Sequence, residues 1–187
     1  MFLPILTVTA ALFIGLSDGL KWSLGFCPEP ALQSSFDIDQ YVGTWYEIAR
    51  DKNIIFEYGD CTQARYTKMD DGKVQVFNTL MNPVTENVDS AKAVAKCNGA
   101  HCKVKFFLFY NGDYRIVSTD YTNYSIVYSC TNVLFFKVEA VWILGRTETL
   151  DASLLATIQS TIDTNVPKYG LDRLYYPEQG GSCNYHS

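Results

Sequence analysis

Residues 41–50 constrain the fold most, because they combine a glycine, a tryptophan and the alternation of a β-strand. Gly43 tolerates backbone conformations that other residues avoid, which suits the point where a strand begins. The side chains beyond it are predicted to alternate, with one face made of Trp45, Glu47 and Ala49 and the other of Tyr46, Ile48 and Arg50. The indole of Trp45 needs a cover, and Arg146, which ends a late apolar stretch, is well suited to stack on it.

Seven further segments have the length and composition of strands. They cover residues 61–69, 73–80, 85–96, 103–110, 114–119, 124–130 and 136–144. The sequences Asp70-Asp71-Gly72 and Asn111-Gly112 are typical of tight hairpin turns, because glycine adopts the positive φ that such turns require. The sequence therefore predicts an all-β fold, an eight-stranded up-and-down antiparallel barrel with room for one small ligand.

The segments that flank these strands carry signals of their own. Residues 21–39 contain two prolines and no clear period, so we expect an extended arm, with a short helical turn near residues 36–41 that closes the barrel base. Residues 152–165 repeat leucine and isoleucine at helical spacing, after Asp151 as candidate N-cap and before Pro167. We expect one C-terminal α-helix packed on the barrel wall.

The first residues have the composition of a secretory signal. Residues 1–16 are almost wholly apolar and small residues follow, so residues 1–19 are predicted to be a signal peptide and residues 20–187 one domain. No lysine or arginine precedes the apolar run, which leaves an uncleaved anchor as the alternative. The expected localisation is secreted and extracellular.

The cysteines predict disulfides, because their number is even in a chain that we expect to be exported. They are Cys27, Cys61, Cys97, Cys102, Cys130 and Cys183. Their spacing alone leaves many pairings open. Only four residues separate Cys97 from Cys102, so these two either close a turn between strands or remain free thiols.

Charge and histidine content argue against several functions. The net charge is −5 and the lysines and arginines form no cluster, which argues against a nucleic-acid-binding surface. The two histidines, His101 and His186, are too few for a multi-histidine metal site or a histidine-activated nucleophile. We therefore predict a binding protein that is not an enzyme and holds no metal.

Three motifs in a fixed order resemble those of the lipocalin family. They are Gly43-x-Trp45 on the first strand, Thr119-Asp120-Tyr121 in a mid-chain hairpin, and Arg146 after the last barrel strand. Residues 119–131 are similar to the subgroup that contains apolipoprotein D, Lazarillo and the bilin-binding proteins. The resemblance implies structural roles for all six of these residues: Gly43, Trp45, Thr119, Asp120, Tyr121 and Arg146.

The resemblance also implies a disulfide pattern and a cavity. The implied pairs are Cys27 with Cys130 and Cys61 with Cys183, which leaves Cys97 and Cys102 over. If Trp45 faces inward, strand alternation predicts a mainly apolar lining. The residues expected to bind ligand are Trp142, Tyr66, Asn78, Val76, Leu80, Ala140, Val138 and Phe136.

Three of these residues match pocket positions of the subgroup: Trp142, Tyr66 and Asn78. Ordinary core packing is the alternative for Trp142. Asn82 stands where apolipoprotein D carries an arginine, so we expect a neutral lipid or sterol rather than a carboxylate. The predicted function is a secreted carrier of a small hydrophobic ligand (lipid, fatty acid or sterol), monomeric or weakly self-associating, without a cofactor.

Two other functions remain as alternatives. The first is a carrier of a bilin or carotenoid pigment. The second is either a thiol-dependent lipocalin enzyme, which needs Cys97 or Cys102 free, or a scavenger of lipid peroxides.

Surface features add two further expectations. Apolar residues concentrate in segments 54–56, 81–84 and 133–135, which are expected at the barrel mouth. They either dock the protein on a membrane or lipoprotein surface or fold over the ligand. Asn123 begins the sequon Asn123-Tyr124-Ser125 and also belongs to the turn motif, so it either carries a glycan or holds the turn.

Overall fold

A computed structural model describes residues 22–54, 56–107 and 110–185. Within these residues, ten strands form one antiparallel sheet: β1 (Trp22–Leu24), β2 (Gly43–Asp51), β3 (Asp60–Lys68), β4 (Val74–Met81), β5 (Val88–Asn98), β6 (His101–Phe107), β7 (Tyr110–Thr119), β8 (Tyr124–Val133), β9 (Phe136–Gly145) and β10 (Leu174–Tyr175). The helices are α1 (Ile38–Tyr41) and α2 (Ala152–Asn165), with a 3₁₀ turn at Leu171–Arg173. No helix in the described ranges is long and apolar enough to cross a membrane. The predicted signal peptide, residues 1–19, lies outside the described residues.

The sheet closes on itself because β2 pairs with both β3 and β9. From β2 to β9 each strand is antiparallel to its neighbours. This confirms the predicted eight-stranded up-and-down antiparallel barrel with one C-terminal α-helix. The short strands β1 and β10 extend the sheet beside β9 and β2. They were not predicted, because so few residues show no alternation.

The two ends of the barrel differ. Strand β2 begins at the base, and each later barrel strand reverses direction. The mouth is therefore formed by residues 52–54, 56–59 and 82–87 and by the turn between β8 and β9. The base is covered by α1, where the side chain of Asp37 accepts a hydrogen bond from the backbone N–H of Asp39. Phe36 packs edge-on against Tyr41, with ring centroids 5.1 Å apart. The N-terminal arm therefore closes the base, as the sequence predicted.

The turn between β6 and β7 is not where the sequence placed it. Asn111 and Gly112 lie inside β7, paired with residues 105 and 104 of β6. Directly beyond them, Asp113 forms an ion pair across the two strands with Lys103, at 2.6 Å, and a hydrogen bond with His101 Nε2, at 2.7 Å. A turn at Asn111-Gly112 would shift the register and separate these partners, so the prediction was wrong.

The predicted alternation along β2 holds only as far as Glu47. A β-bulge between Glu47 and Ala49 shifts the pairing with β9. As a result, both Ile48 and Ala49 belong to the apolar cluster beneath α2, and Arg50 turns back to donate a 2.6 Å hydrogen bond to Glu47 Oε1. The predictions that Ala49 shares a face with Trp45, and that Arg50 faces away from Glu47, were wrong because a bulge inserts one extra residue.

Helix α2 packs on the outside of the barrel. Its residues Ile158 and Ile162 are buried against barrel residues such as Ile126 and Ile143. This agrees with the helical spacing in the sequence. Asp151 occupies the N-cap position, as predicted, although its side chain makes no capping hydrogen bond.

Two of the three disulfides fasten the ends of the described chain to the barrel, and the third closes a turn within it. Cys27–Cys130 joins the N-terminal arm to β8, Cys61–Cys183 joins the C-terminal tail to β3, and Cys97–Cys102 closes the turn between β5 and β6. The first two are the pairs that the resemblance implied. Because all six cysteines are paired, the alternative of a thiol-dependent enzyme lacks its nucleophile.

Candidate ligand-binding site

The closed end of the barrel is held by Trp45 and Arg146. The guanidinium carbon of Arg146 lies 3.7 Å from the centroid of the Trp45 rings, so the predicted stacking is present. The indole Nε1 donates a 2.8 Å hydrogen bond to the backbone oxygen of Tyr41. Trp45 is fully buried. This pair fixes the base of the cavity and lies away from its mouth.

The Thr119-Asp120-Tyr121 motif forms the turn beside this pair. Asp120 Oδ1 accepts hydrogen bonds from the backbone N–H groups of residues 122, 123 and 124. The side-chain amide of Asn123 donates a 2.7 Å hydrogen bond to Asp120 Oδ2. Asn123 therefore helps to hold the turn, and a glycan on it remains a prediction.

A network of tyrosines forms the floor of the cavity. The hydroxyl oxygen of Tyr41 lies 2.8 Å from that of Tyr114 and 2.9 Å from Ser125 Oγ. The hydroxyl of Tyr114 also lies 3.1 Å from that of Tyr66. Burial raises the pKa of Tyr41 to about 12, so this hydroxyl stays protonated. Tyr66, which we predicted to anchor the ligand, lines the cavity, but its hydroxyl is already bonded to Tyr114.

Two chambers that share part of their lining occupy the barrel above this floor. The inner chamber has a volume of about 110 Å³, and the outer chamber, which opens at the mouth, has a volume of about 670 Å³. The outer volume is in the range typical of small-molecule sites. The residues common to both linings lie where the two chambers adjoin, a region that we call the passage: Phe56, Glu57, Thr62, Asn78 and Phe106.

Most of the predicted ligand-binding residues lie on these walls. Tyr66, Val76 and Trp142 line the inner chamber, Leu80 and Val138 line the outer chamber, and Asn78 lines the passage. Ala140 and Phe136 are not among the described lining residues of either chamber.

Position and size explain why Ala140 and Phe136 are not among the lining residues. Ala140 carries only a methyl group between the larger Val138 and Trp142. Phe136 is 40% exposed at the rim, where it packs edge-on against Trp22 with ring centroids 6.4 Å apart.

Two carboxyl groups that the sequence did not single out lie inside the cavity. Glu47 is only 3% exposed, and Arg50 Nη1 donates a 2.6 Å hydrogen bond to its Oε1. The side chain of Glu57, from the mouth loop, lies near that of Glu47. The indole Nε1 of Trp142 donates a 2.6 Å hydrogen bond to Glu57 Oε2. Trp142 is therefore oriented by a carboxyl group as well as by packing.

The protonation of these two carboxyl groups is coupled. Burial raises the pKa of Glu47, and the neighbouring Glu57 raises it further, although Arg50 opposes both effects. Burial also raises the pKa of Glu57. The pair therefore retains a proton at pH values where an ordinary glutamate has lost it.

Two polar atoms on the wall of the passage lack partners. Within the described part of the chain, Thr62 Oγ1 and Asn78 Oδ1 are buried without a hydrogen bond. Thr62 is 6% exposed. A buried polar atom without a partner is rare in folded proteins and calls for an occupant such as a ligand or water.

Asn82 does not take part in the site. Its Oδ1 accepts a 2.9 Å hydrogen bond from the backbone N–H of Val84, and its Nδ2 donates to Asp89 Oδ2 at 2.9 Å. The side chain therefore holds the turn between β4 and β5.

A closed eight-stranded barrel with an internal cavity and one helix on its wall defines a ligand-binding β-barrel protein. A family model described as a lipocalin-like domain matches residues 36–179. The chain is 37% identical to apolipoprotein D of Mus musculus, a match that covers 87% of this chain and 88% of that protein. It is 29% identical to the Lazarillo protein of Schistocerca americana, with 84% and 78% covered. The chain belongs to the lipocalin family.

Solved structures agree with the fold. The structure of insecticyanin from Manduca sexta superposes with a TM-score of 0.76 at 21% identity, covering 89% of this chain and 94% of that one. At this level of identity the likeness concerns the barrel and its helix.

Proposed function

We propose that this lipocalin is a secreted carrier that holds one small hydrophobic molecule in the two chambers without chemical turnover. The observation that carries the proposal is the internal, mainly apolar cavity, whose outer chamber of about 670 Å³ opens at the barrel mouth. Removing ~300 Å² of apolar ligand surface from water contributes about 7 kcal/mol at ~25 cal/mol/Å², which exceeds the lower estimates, about 4 kcal/mol, of the cost of association.

The polar groups of the cavity favour a neutral ligand over a fatty acid. No lysine or arginine is among the described residues that line either chamber. The guanidinium groups that contact acidic lining residues, those of Arg50 and Arg115, are already paired with Glu47 and Asp113. A buried carboxylate without a cationic partner is unfavourable. A sterol or another neutral lipid is therefore the ligand class that we propose.

Secretion is part of this proposal. Three disulfides are typical of proteins from oxidising compartments, and two of them connect the ends of the described chain to the barrel.

Mass spectrometry of an organic extract from natively purified protein, with a visible absorption spectrum, tests the ligand class. We expect a sterol or neutral lipid and no visible band. A tetrapyrrole or carotenoid mass with a matching band would contradict the proposal and favour the pigment carrier instead. Protein that yields no extractable ligand and also fails to bind any neutral lipid would contradict it as well.

An apolar strip at the mouth supports a second element of the proposal, docking on a lipid surface. The mouth strip consists of exposed residues on β1, beside it, and at the adjoining end of the β8–β9 hairpin: Trp22, Leu24, Phe26, Leu134, Phe135 and Phe136. Leu134 is 82% exposed and Phe135 is 73% exposed. These residues lie beside one another because β1 pairs with β9, Leu24 opposite Phe136. Contiguous exposed apolar surface of this kind marks interaction sites.

Sedimentation with phosphatidylcholine vesicles tests the docking. We expect the Leu134→Ser/Phe135→Ser variant to bind vesicles several-fold less than the parent protein. Met69→Ser is the matched control, because Met69 is an exposed apolar residue at the opposite end of the barrel. Equal binding by the parent and the mouth variant would contradict docking through this strip.

A further inference from the structure

We propose that the Glu47–Glu57 pair makes the passage a binding site for a protonated amine carried by an otherwise apolar ligand. The inference rests on the proposed carrier function and extends its ligand class, because the cavity would accept neutral lipids and would bind an apolar molecule with an amine head group more tightly. Glu57 lines both chambers, Glu47 lines the inner one, and the two carboxyl groups are close enough for each to affect the pKa of the other. A ligand that extends from the outer to the inner chamber must therefore pass Glu57.

The charges around the pair leave room for one cation. Arg50 balances one negative charge, through its 2.6 Å contact with Glu47. If both carboxyl groups were ionised, one negative charge would remain unbalanced in an apolar cavity, which is costly. When no cation is bound, the shared proton neutralises that charge. A bound ammonium group would remove it equally well, and the proton would leave to solvent.

The hydrogen-bonding groups at the passage also suit an ammonium group. An ammonium group has three N–H donors. Glu57 can accept one, and the unpartnered Thr62 Oγ1 and Asn78 Oδ1 can accept the others. Because Ala64 of β3 pairs with Asn78 of β4, Thr62 and Asn78 lie on adjacent strands. Phe56 and Phe106 also line the passage, and aromatic rings are favourable neighbours for a cation.

The other titratable groups near the pair do not replace this role. Tyr41, Tyr66 and Tyr114 form the floor network. Asp113 lies on the wall of the inner chamber and is paired with Lys103, His101 and Arg115. In the outer chamber, the hydroxyl of Tyr58 donates to Asp89. Among the described lining residues, Glu47 and Glu57 are the carboxyl groups that share a retained proton.

Displacement of Nile red, a neutral apolar dye, by dodecylamine, dodecanol and dodecanoate tests the inference on the full chain. The three ligands share one chain length and differ in the head group, and each is used below its micelle concentration. At neutral pH we expect dodecylamine to bind at least about tenfold more tightly than dodecanol, which is the difference that one hydrogen bond to a charged group typically makes. We expect dodecanoate to bind most weakly. The preference for the amine should grow as the pH rises and the shared proton becomes easier to lose.

The Glu57→Gln variant supplies the decisive comparison. It keeps an acceptor for the Trp142 indole but removes the ionisable group. We expect its affinity for dodecylamine to fall about tenfold, while its affinity for dodecanol changes by less than about threefold. Glu86→Gln is the matched control, because Glu86 is exposed in the mouth loop between β4 and β5 and should leave all three affinities unchanged.

The possible results separate the inference from the carrier function. If wild-type protein binds dodecanol but shows no preference for dodecylamine, the inference is overturned and the carrier stands. Equal losses of amine and alcohol binding in Glu57→Gln would also overturn the inference. If neither the dye nor any of the three ligands binds, both the inference and the proposed function fail.

Discussion

Arg146 stacks on the indole of Trp45 and holds together the segments that meet at the base of the barrel. Besides the 3.7 Å stacking contact, its Nε donates a hydrogen bond to the backbone oxygen of Tyr121 and its Nη1 donates to that of Thr44. Its Nη2 donates to the carbonyl oxygens of residues 40, 41 and 42. One side chain thus connects β2, the end of α1 and the turn that follows β7.

Replacing Arg146 by methionine should lower the free energy of unfolding by about 2–4 kcal/mol. The variant keeps an apolar contact with Trp45 but leaves several backbone oxygens without their donor. Urea unfolding monitored by tryptophan fluorescence measures the loss. Lys96→Met, at an exposed position on β5, should cost less than about 0.5 kcal/mol. Equal losses of unfolding free energy in the two variants would show that the Trp45–Arg146 pair does not stabilise the base of the barrel.

Replacing Arg173 by leucine should cost about 3–5 kcal/mol. Arg173 pairs with Asp51 at 2.5 Å and with Glu139 at 3.3 Å in a buried cluster. Removing the cation leaves the buried Asp51 without a cationic partner, whereas Glu139 keeps Lys137 at 2.7 Å. The penalty for the uncompensated Asp51 exceeds the value of the pair itself. The double variant Arg173→Leu/Asp51→Asn should recover part of the loss in the same unfolding assay. A loss of less than about 1 kcal/mol in the single variant would contradict this account of the cluster.

The Glu47–Glu57 pair should make folding less favourable as the pH rises. The folded pair keeps its proton above the ordinary glutamate pKa of 4.5, whereas the unfolded chain releases it there. Stability from this source is therefore fully present below that pH and is lost as the pH rises through the raised pKa, by at most about 1.4 kcal/mol per pH unit.

Comparing wild type with Glu57→Gln isolates this contribution. Urea midpoints measured from acid to alkaline pH should decline less steeply in the variant, and Glu86→Gln should follow the wild type. Parallel curves for wild type and Glu57→Gln would show that the two carboxyl groups do not share a proton in the folded state.

The disulfides should differ in their effect on stability. Cys61 and Cys183 are 122 residues apart, whereas Cys97 and Cys102 are 5 apart. A long closed loop restricts the unfolded chain more, so replacing the first pair by alanine should cost about 5 kcal/mol and replacing the second about 2 kcal/mol. Thermal unfolding of the two double variants checks the order. The reverse order would contradict the prediction.

Much of the barrel could be predicted from alternation and motifs, and the errors have local causes. The strands from β2 to β9 were found because period-two patterns persist over most of their length. The bulge near Ile48 left no trace in the pattern, since apolar residues occur on both faces there. The Asn111-Gly112 signal was overridden by the ion pair and the hydrogen bond of Asp113 across β6 and β7.

The cavity was predicted less completely than the barrel. Trp142 and Asn78 lie on the chamber walls because inward parity on regular strands is readable from sequence. Glu47 could have been recognised, because it lies two residues after Trp45 on the same face of the strand. Glu57 could not, because it comes from an irregular loop and meets Trp142 only after folding.

The carrier function is tested most directly by titrating the protein with Nile red and comparing one pair of variants. Ala91 lines the outer chamber, so Ala91→Trp should fill part of it. Lys92 is the next residue on β5 and lies over Phe77, so Lys92→Trp places the same side chain outside the barrel. We predict saturable binding to one site, weakened about tenfold or more by Ala91→Trp and less than about twofold by Lys92→Trp. Equal affinities for both variants, or no saturable binding, would contradict the conclusion that the cavity holds the ligand.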